Sequence, residues 1–228
     1  MAHQNSVVFV VDDDASVRRS LALLVESAGW QVNTFGSAQE FLSFPGVSCS
    51  SCLVLDLDLP DVDGLELQKR VAGRRDMPII FISGHGDVPT TVRAMKGGAM
   101  EFLTKPLSSE MLLDAIHQAL ERSSASLAQA AALHSLRMRH DSLTAREREV
   151  MALVVSGLLN KQIGARLGIS EITVKAHRGS MMRKMSAASL AHLVNMAGTL
   201  GVPADDPEVQ IRFVAQREAA MAGTARAL

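Results

Sequence analysis

The chain has 228 residues, 47% of them hydrophobic and 21% charged, which is typical of a globular protein long enough for two small domains. No run of 18 apolar residues and no basic-then-apolar leader is present, so we expect a cytoplasmic protein without a membrane span. The net charge of −1 is the sum of two opposite contributions. Residues 1–121 are acidic, with 9 Lys and Arg against 16 Asp and Glu, whereas residues 122–228 are basic, with 14 against 8. The basic second half favours a polyanionic partner.

Strand-type and helix-type segments alternate five times in the first 121 residues. Strong apolar strands are predicted at 7–11, 52–57 and 78–83, and weaker strands at 31–35 and 100–104. Helices are predicted between and after them, at 15–28, 37–44, 63–72, 88–97 and 108–121. This alternation predicts an α/β domain with a five-stranded, doubly wound parallel sheet that helices cover on both faces.

Polar residues stand where the predicted strands end, which is the edge at which parallel sheets bind ligands. They are Asp12, Asp13 and Asp14 after the first strand, Asp56 in the third, Ser83 in the fourth and Lys105-Pro106 after the fifth. Clustered carboxylates repel one another unless a hard cation lies among them, and oxygen ligands of this kind suit Mg²⁺. We therefore predict a cation site at this edge, whereas Asp14, Asp61 and Asp63 are expected to be helix caps or turn residues.

The set Asp12-Asp13, Asp56, Ser83 and Lys105-Pro106 resembles, in order and spacing, the receiver domain of two-component response regulators. The strings DLDLPDVDG, SGHGDVPTTVRAMKGGA and EFLTKP are similar to the FixJ subgroup in particular. The resemblance implies that Asp56 accepts a phosphoryl group from the phosphohistidine of a sensor histidine kinase. It also implies that Mg²⁺ is held by Asp12, Asp13, Asp56 and the backbone carbonyl of Asp58. Finally, it implies that Ser83 and Lys105 bind the phosphoryl oxygens and that Phe102 moves together with Ser83 as a switch.

The chemistry of phosphoryl transfer supports these roles without the resemblance. A carboxylate can attack phosphorus, and the charge on the transferring group is stabilised by a metal and a cation around it. An alternative is an aspartate-nucleophile phosphatase of the haloacid-dehalogenase type, because LDLDLP contains a DxD motif. That family carries DxD on its first strand and an acidic pair later, which is the reverse of the order here. We therefore expect a receiver and not an enzyme.

Residues 122–141 form the predicted connection to the second half. They contain no Pro or Gly and are rich in Ala and Leu, which favours a helix that continues the last helix of the receiver domain. Two interpretations remain open for this linker, a solvated spacer helix and a dimer-forming helix.

A helix-turn-helix pattern occupies residues 142–200. Thr144 and Glu147 form a capping box that opens one helix, and a short helix at 160–167 ends at Gly168 before Ser170 can cap the next helix. The stretch resembles the LuxR-type DNA-binding domain. The matching residues are Thr144, Arg146-Glu147, Asn160-Lys161, Ile163, Ile169-Ser170, Thr173-Val174-Lys175, His177 and Lys184.

A helical wheel of the last helix predicts a core face and a DNA face. Val174, Met181 and Met185 fall on the core face. On the opposite face, small residues let the helix approach the groove, and Lys or Arg at the edges can reach bases or phosphates. Arg178 lies nearer the core face, so its long side chain would have to extend away from that face to reach a phosphate. The predicted DNA-binding residues are Lys161, Thr173, Lys175, Ala176, His177, Arg178, Gly179, Arg183 and Lys184.

These features predict a response regulator that binds double-stranded promoter DNA, with RNA polymerase as a further partner. Phosphorylation is expected to produce a homodimer, through a face that mediates dimerisation in FixJ-like proteins and here comprises Val92, Arg93, Met95, Lys96 and Glu101. The alternative is a receiver that acts on a protein partner through its helical tail. Residues 201–228 form a C-terminal tail of unknown role, in which Pro207 could start a helix that runs through residue 221.

Overall fold

The structure, a computed structural model, describes residues 6–74, 76–84 and 86–202. The chain divides into two compact units, the first ending at Gln129 and the second beginning at Ala130. The helix predicted to start at Pro207 lies outside the described residues.

The first unit is built on a five-stranded parallel sheet with the strand order β2-β1-β3-β4-β5. The strands are β1 (Val7–Val11), β2 (Gln31–Phe35), β3 (Ser51–Asp56), β4 (Ile79–Ser83) and β5 (Glu101–Thr104). The three central strands are buried along their whole length, as expected for apolar strands covered on both faces. The predicted fold class is confirmed, and the strand bounds differ from the predicted ones by no more than one residue.

Helices cover both faces of this sheet. They are α1 (Ala15–Ser27), α2 (Ala38–Ser43), α3 (Gly64–Val71), α4 (Val88–Lys96) and α5 (Ser109–Asp141). Alternate residues of β1 enter two different cores because side chains point to opposite faces along a strand. Phe9 packs in the core that includes Phe41 of α2, whereas Val8 packs in the core that includes Val25 of α1 and Ile116 of α5.

Three aspartates bind the backbone amides at the starts of helices. Asp14 accepts hydrogen bonds from the amides of Ser16 and Val17, and it is the N-cap of α1. Asp63 is the N-cap of α3. Asp61, which lies between β3 and α3 in the chain, accepts hydrogen bonds from the first two backbone amides of α2. The prediction that these three carboxylates serve as caps or turn residues is confirmed.

Helix α5 continues well past residue 121 and includes the whole range predicted as a helical linker. Its first part is fixed to the sheet by Ser123, which is fully buried. The hydroxyl of Ser123 donates to the carbonyl of Asp76 and accepts from the amide of Ser51 at 2.9 Å. The packing of the first unit therefore extends into the predicted linker. Within the described part of the chain, no helix has both the length and the apolar character needed to cross a bilayer.

The second unit contains the helices α6 (Ala145–Val155), α7 (Asn160–Leu167), α8 (Glu171–Met185) and α9 (Leu190–Leu200). The predicted capping box is present, because the Thr144 hydroxyl accepts from the Glu147 amide and the Glu147 carboxylate accepts from the Thr144 amide. Helix α7 ends at Gly168, whose φ of 66° lies in the left-handed region that glycine adopts without strain. The core is formed by apolar side chains of all four helices, including Val150, Ile163 and Leu193.

Candidate functional site

Three carboxylates meet at the carboxyl ends of β1 and β3. The two strands are neighbours in the sheet, and Val11 pairs with Leu55, so the residues that follow them come together. Oxygen atoms of Asp12, Asp13 and Asp56 all lie within 4.8 Å of one another. Asp12 and Asp56 are buried, and Asp13 is exposed. The predicted acidic cluster is thus present as a group of hard oxygen ligands.

The ammonium group of Lys105 bridges the two buried carboxylates. Its Nζ atom lies 2.8 Å from Oδ2 of Asp12 and 2.8 Å from Oδ2 of Asp56. The backbone amide of Lys105 donates to the carbonyl of Ser83 at 2.8 Å, which fixes the loop after β5 against the end of β4. The structure therefore brings together Asp12, Asp13, Asp56, Ser83 and Lys105, although they are spread over 94 positions of the chain.

Burial and charge shift the ionisation of this cluster. Burial raises the pKa of Asp56, and the neighbouring carboxylate of Asp12 adds to the rise, while Lys105 opposes it. Burial acts to lower the pKa of Lys105, but its hydrogen bonds to Asp12 and Asp56 outweigh that effect and leave the pKa raised. The ammonium therefore stays charged at neutral pH. Three acidic side chains share one ammonium in this cluster, and such a group of oxygen ligands favours binding of a divalent cation.

Backbone groups fix the two buried carboxylates from the other side. Oδ1 of Asp12 accepts from the amide of Asp14 at 2.9 Å, and Oδ1 of Asp56 accepts from the amide of Asp58 at 3.4 Å. The guanidinium of Arg18, in the first turns of α1, donates to the backbone carbonyl of Asp12 at 2.7 Å. Sequence reasoning missed Arg18. The available signal was an arginine six residues after Asp12 in a helix that starts beside the cluster.

The predicted switch residues lie on β4 and β5. Ser83 is fully buried and pairs in register with Thr104. The ring of Phe102 is partly buried and stacks on Phe81 at a centroid distance of 6.1 Å. The loop after Ser83 runs close to this ring, because a Cβ atom built on Gly86 would lie 2.7 Å from a side-chain carbon of Thr104 and 3.3 Å from the ring of Phe102. Gly86, in the loop after Ser83, therefore has little room for a side chain beside Thr104 and the Phe102 ring.

The predicted dimer face is exposed. Val92, Met95 and the additional residue Val88 lie three and four positions apart on α4, so they form one apolar stripe that is open to solvent. The remaining predicted members Arg93, Lys96 and Glu101 are also exposed. In the described chain, no ion pair joins Glu101 to Arg93 or Lys96. Charged side chains of both signs are thus exposed beside the apolar stripe.

Helix α8 has the two faces that the wheel predicted. Val174, Met181 and Met185 are fully buried in the core. On the other side, residues at intervals of three and four positions are exposed or partly exposed, and they are Ile172, Lys175, Ala176, Gly179 and Arg183. Ile172 was not among the predicted DNA-binding residues, yet its side chain is 80% exposed. Ile172 is therefore an exposed apolar side chain at the start of α8, one turn before Lys175.

Several predicted DNA-binding residues already have partners within the protein. Arg178 donates to the side-chain oxygen of Asn160 at 3.1 Å, which links α8 to α7. The Lys184 ammonium lies 2.6 Å from the carboxylate of Glu147. Hydrogen bonds from Lys184 first, and then from Ser180, lower the pKa of Glu147 to about 2.

The rest of the predicted set divides between the exposed surface and the start of α8. Lys161 and Arg183 are exposed. Lys175 is exposed as well, and its ammonium lies 3.1 Å from the carboxylate of Glu171. Thr173 contacts the hydroxyl of the N-cap Ser170 at 2.8 Å, and His177 is partly buried. The predicted set therefore contains both side chains that are open to solvent and side chains that hold α8 in position.

Comparisons with known proteins match each of the two units to a family. Residues 8–117 match the family of response regulator receiver domains, and residues 141–197 match the bacterial regulatory proteins of the luxR family. Nodulation protein W of Bradyrhizobium diazoefficiens is 49% identical over 208 residues, which are 91% of this chain and 92% of that protein. The transcriptional regulatory protein FixJ of Rhizobium meliloti is 42% identical over 191 residues, covering 83% of this chain and 94% of that protein.

Solved structures give the same result. The response regulator StyR is 46% identical, with a TM-score of 0.78 over 85% of this chain and 98% of that chain. Full-length FixJ from B. japonicum is 40% identical, with a TM-score of 0.53 over 89% of this chain and all of that chain. Identities of this size over nearly the full length show the family directly. The chain belongs to the two-component response regulators that join a receiver domain to a DNA-binding domain of the luxR family.

Proposed function

We propose that a sensor histidine kinase phosphorylates this response regulator on Asp56 and that phosphorylation raises its affinity for promoter DNA. The observation that carries the proposal is the gathering of Asp12, Asp13 and Asp56 within 4.8 Å, with the ammonium of Lys105 between two of them. In this proposal residues 1–121 are the receiver, 122–141 the linker and 142–200 the DNA-binding domain.

In the phosphoryl transfer step, a carboxylate oxygen of Asp56 attacks the phosphorus of the kinase's phosphohistidine. An oxygen–phosphorus bond forms on Asp56 while the nitrogen–phosphorus bond breaks, and the imidazole leaves with its electron pair. Lys105 already contacts Asp56, so its ammonium is in position to bind the new phosphoryl oxygens. Ser83, buried at the end of β4, is the second residue proposed to bind them. The receiver is a substrate of the kinase and catalyses no turnover of its own.

The residues that would hold Mg²⁺ are Asp12, Asp13, Asp56 and the backbone carbonyl of Asp58. The donor set fits this ion, because the cluster consists of carboxylate oxygens and carries an excess negative charge. When bound, Mg²⁺ supplies positive charge that offsets the carboxylates and the phosphoryl oxygens.

We infer that phosphorylation acts on α4 and β5 through Ser83 and Phe102. The lack of room for a side chain at Gly86, in the loop after Ser83, beside Thr104 and the ring of Phe102 supports this route. The altered face would then form a homodimer through Val92, Arg93, Met95, Lys96 and Glu101, whose exposed apolar stripe and charges of both signs suit a two-fold contact.

A dimer presents two DNA-binding domains to two half-sites. The second domain binds at a high effective concentration, which raises affinity without any new base contact. On each domain the exposed residues Lys161, Lys175, Ala176, Gly179 and Arg183 would face the DNA, with Thr173 and His177 beside them. Arg178 and Lys184 would have to leave their partners within the protein, Asn160 and Glu147, to reach phosphates. RNA polymerase is the expected further partner. Because the protein would bind promoter DNA, it would act in the cytoplasm.

The experiment combines labelling with DNA binding. Phosphoramidate and Mg²⁺ should add one phosphoryl group to the wild type and none to Asp56→Asn, as measured by mass spectrometry. Promoter fragments identified by sequencing protein-bound genomic DNA should then bind the phosphorylated wild type more tightly than Asp56→Asn. Undiminished labelling of Asp56→Asn would refute the acceptor assignment. Repeated turnover of a phosphomonoester would instead favour the phosphatase alternative.

A further inference from the structure

The first turn of α8 carries an ion pair on the face proposed to bind DNA. Glu171 is the only acidic residue in the sequence of α8, and its Oε1 atom lies 3.1 Å from Nζ of Lys175. We propose that Glu171 is a specificity-determining residue, which limits binding to DNA of random sequence by holding the ammonium of Lys175. The inference rests on the proposed function, in which the exposed residues of α8 face the DNA.

The Glu171–Lys175 pair differs from the other ion pair of α8 in its exposure. Glu147 is only 5% exposed, and it holds Lys184 while also closing a capping box, so that pair is part of the architecture. The side chains of Glu171 and Lys175 are 47% and 61% exposed. An exposed pair four residues apart on a helix contributes little to stability, so it can open when a better partner for Lys175 is present.

Charge explains why this pair discriminates between DNA sequences. Any duplex offers phosphates to Lys175, but the carboxylate of Glu171 is repelled by them and competes for the same ammonium. A matching site can compensate, because in the major groove a lysine can donate to guanine and a carboxylate can accept from the cytosine amine. DNA of random sequence offers no such compensation. Glu171 should therefore weaken non-specific binding more than specific binding.

The size of the effect follows from counterion release. One additional phosphate contact steepens the dependence of log K on log salt by about 0.9, which is about eightfold in affinity for each tenfold decrease in salt. If Glu171→Gln releases Lys175 to a phosphate, affinity for random DNA at 0.1 M salt should rise about five- to tenfold. Affinity for the specific site should change less than twofold, so the specificity ratio should fall by a similar factor.

The test uses the full-length phosphorylated protein with two fluorescent duplexes, one carrying the specific site and one of random sequence. Affinities are measured by anisotropy over a series of salt concentrations. Glu149→Gln is the matched control, because it removes the same charge from another exposed pair, in which Arg146 lies 2.6 Å away. The double variant Glu171→Gln/Lys175→Ala tests whether the gain depends on Lys175.

We expect Glu171→Gln to bind random DNA more tightly with a steeper salt dependence, and we expect both effects to disappear in the double variant. A gain that persists without Lys175, or an equal gain in Glu149→Gln, would overturn the inference. So would a loss of specific affinity with no gain on random DNA, because Glu171 would then be a base-reading residue only. A wild type that binds neither duplex would refute the proposed DNA binding itself, whereas unchanged behaviour of Glu171→Gln refutes this inference alone.

Discussion

Replacing Glu147 with glutamine should destabilise the DNA-binding unit and leave the receiver unaffected. The Glu147 carboxylate accepts from the amide of Thr144 at 2.8 Å and from the ammonium of Lys184 at 2.6 Å. These contacts join the start of α6 to the last turn of α8. The loss of the charge therefore acts on the position of α8, the helix on which the proposed DNA contacts depend.

The magnitude follows from the ionisation of Glu147. Its pKa is lowered from 4.5 to about 2, chiefly by the hydrogen bond from Lys184. A shift of that size corresponds to about 3 to 4 kcal/mol of stabilisation of the charged form, at roughly 1.4 kcal/mol per pKa unit. Lys184 is 35% exposed, so solvent screening reduces the figure. We expect Glu147→Gln to lower the free energy of unfolding of this unit by about 2 kcal/mol, since glutamine can still accept from Thr144.

The pH dependence has a definite sign. Because the pKa of Glu147 is lower in the folded state, its stabilisation is fully present above its unfolded value of 4.5. The stabilisation should decrease as the pH falls from about 5 towards 2, where the folded carboxyl group becomes protonated. Over that interval the wild type should lose stability more steeply than Glu147→Gln.

The two units can be followed separately in the intact protein. Trp30 is the only tryptophan, the chain has no tyrosine, and Trp30 is buried in the first unit, so its fluorescence reports on the receiver. Amide hydrogen exchange at Val174 and Met181 reports on α8. A decrease of about 2 kcal/mol should speed exchange there about 30-fold while the midpoint of the Trp30 transition stays constant.

The control for this variant is Glu149→Gln, because Glu149 is 50% exposed and pairs with Arg146 on the surface of α6. It should change the free energy of unfolding by less than about 0.5 kcal/mol. Equal effects of the two substitutions on α8 would refute the argument that burial makes the Glu147 contact important. A matching shift in the Trp30 transition would refute the separate stability of the two units.

Three further predictions concern function. Asp13→Asn should weaken Mg²⁺ binding, so that phosphoramidate labels Asp56 slowly and excess Mg²⁺ restores the rate; a rate independent of Mg²⁺ in the wild type would contradict this. Lys175→Ala should relax the preferred sequence, whereas Arg183→Ala should weaken all sequences alike and lower the salt slope by about 1, as gel shifts at two salt concentrations would show. Lys96→Glu should be labelled normally yet remain monomeric in analytical ultracentrifugation, and a dimer of the labelled variant would exclude this face.

The sequence predicted the sheet well because strand strength follows position in the sheet. The two segments with weak strand patterns, at 31–35 and 100–104, became β2 and β5, the two edge strands. An edge strand has a neighbour on one side only and is less covered, so it needs fewer apolar residues. The burial pattern of β2 agrees, since one of its five residues is buried, whereas every residue of β1 is. The acidic cluster was predictable for the same reason, because parallel strands bring their carboxyl ends to one edge.

Partners of polar side chains could not be predicted in the same way. A helical wheel gives the face on which Arg178 and Lys184 lie, but not that Asn160, 18 residues away, and Glu147, 37 residues away, bind them. Ser123 likewise looked like part of a solvated linker, although it is buried against a residue 72 positions earlier in the chain. Such contacts depend on how elements pack in three dimensions, which local periodicity does not contain.

The solvent exposure of a lysine–carboxylate pair distinguishes the pairs that stabilise the fold from those whose members can exchange partners. The Lys184–Glu147 pair has a buried carboxylate that also caps a helix, so separating it leaves a buried charge without its cation. Both side chains of the Lys175–Glu171 pair are exposed to water, so separating them has little effect on the fold. Lys105 is intermediate, because two buried carboxylates share one partly exposed ammonium. A phosphoryl group on Asp56 would bring more negative charge to that ammonium than a carboxylate does, so Lys105 can change partners while remaining paired. Under the proposed function, the pair that would respond to phosphorylation is neither fully buried nor fully exposed, because it would have to be stable before transfer and accessible to the incoming group.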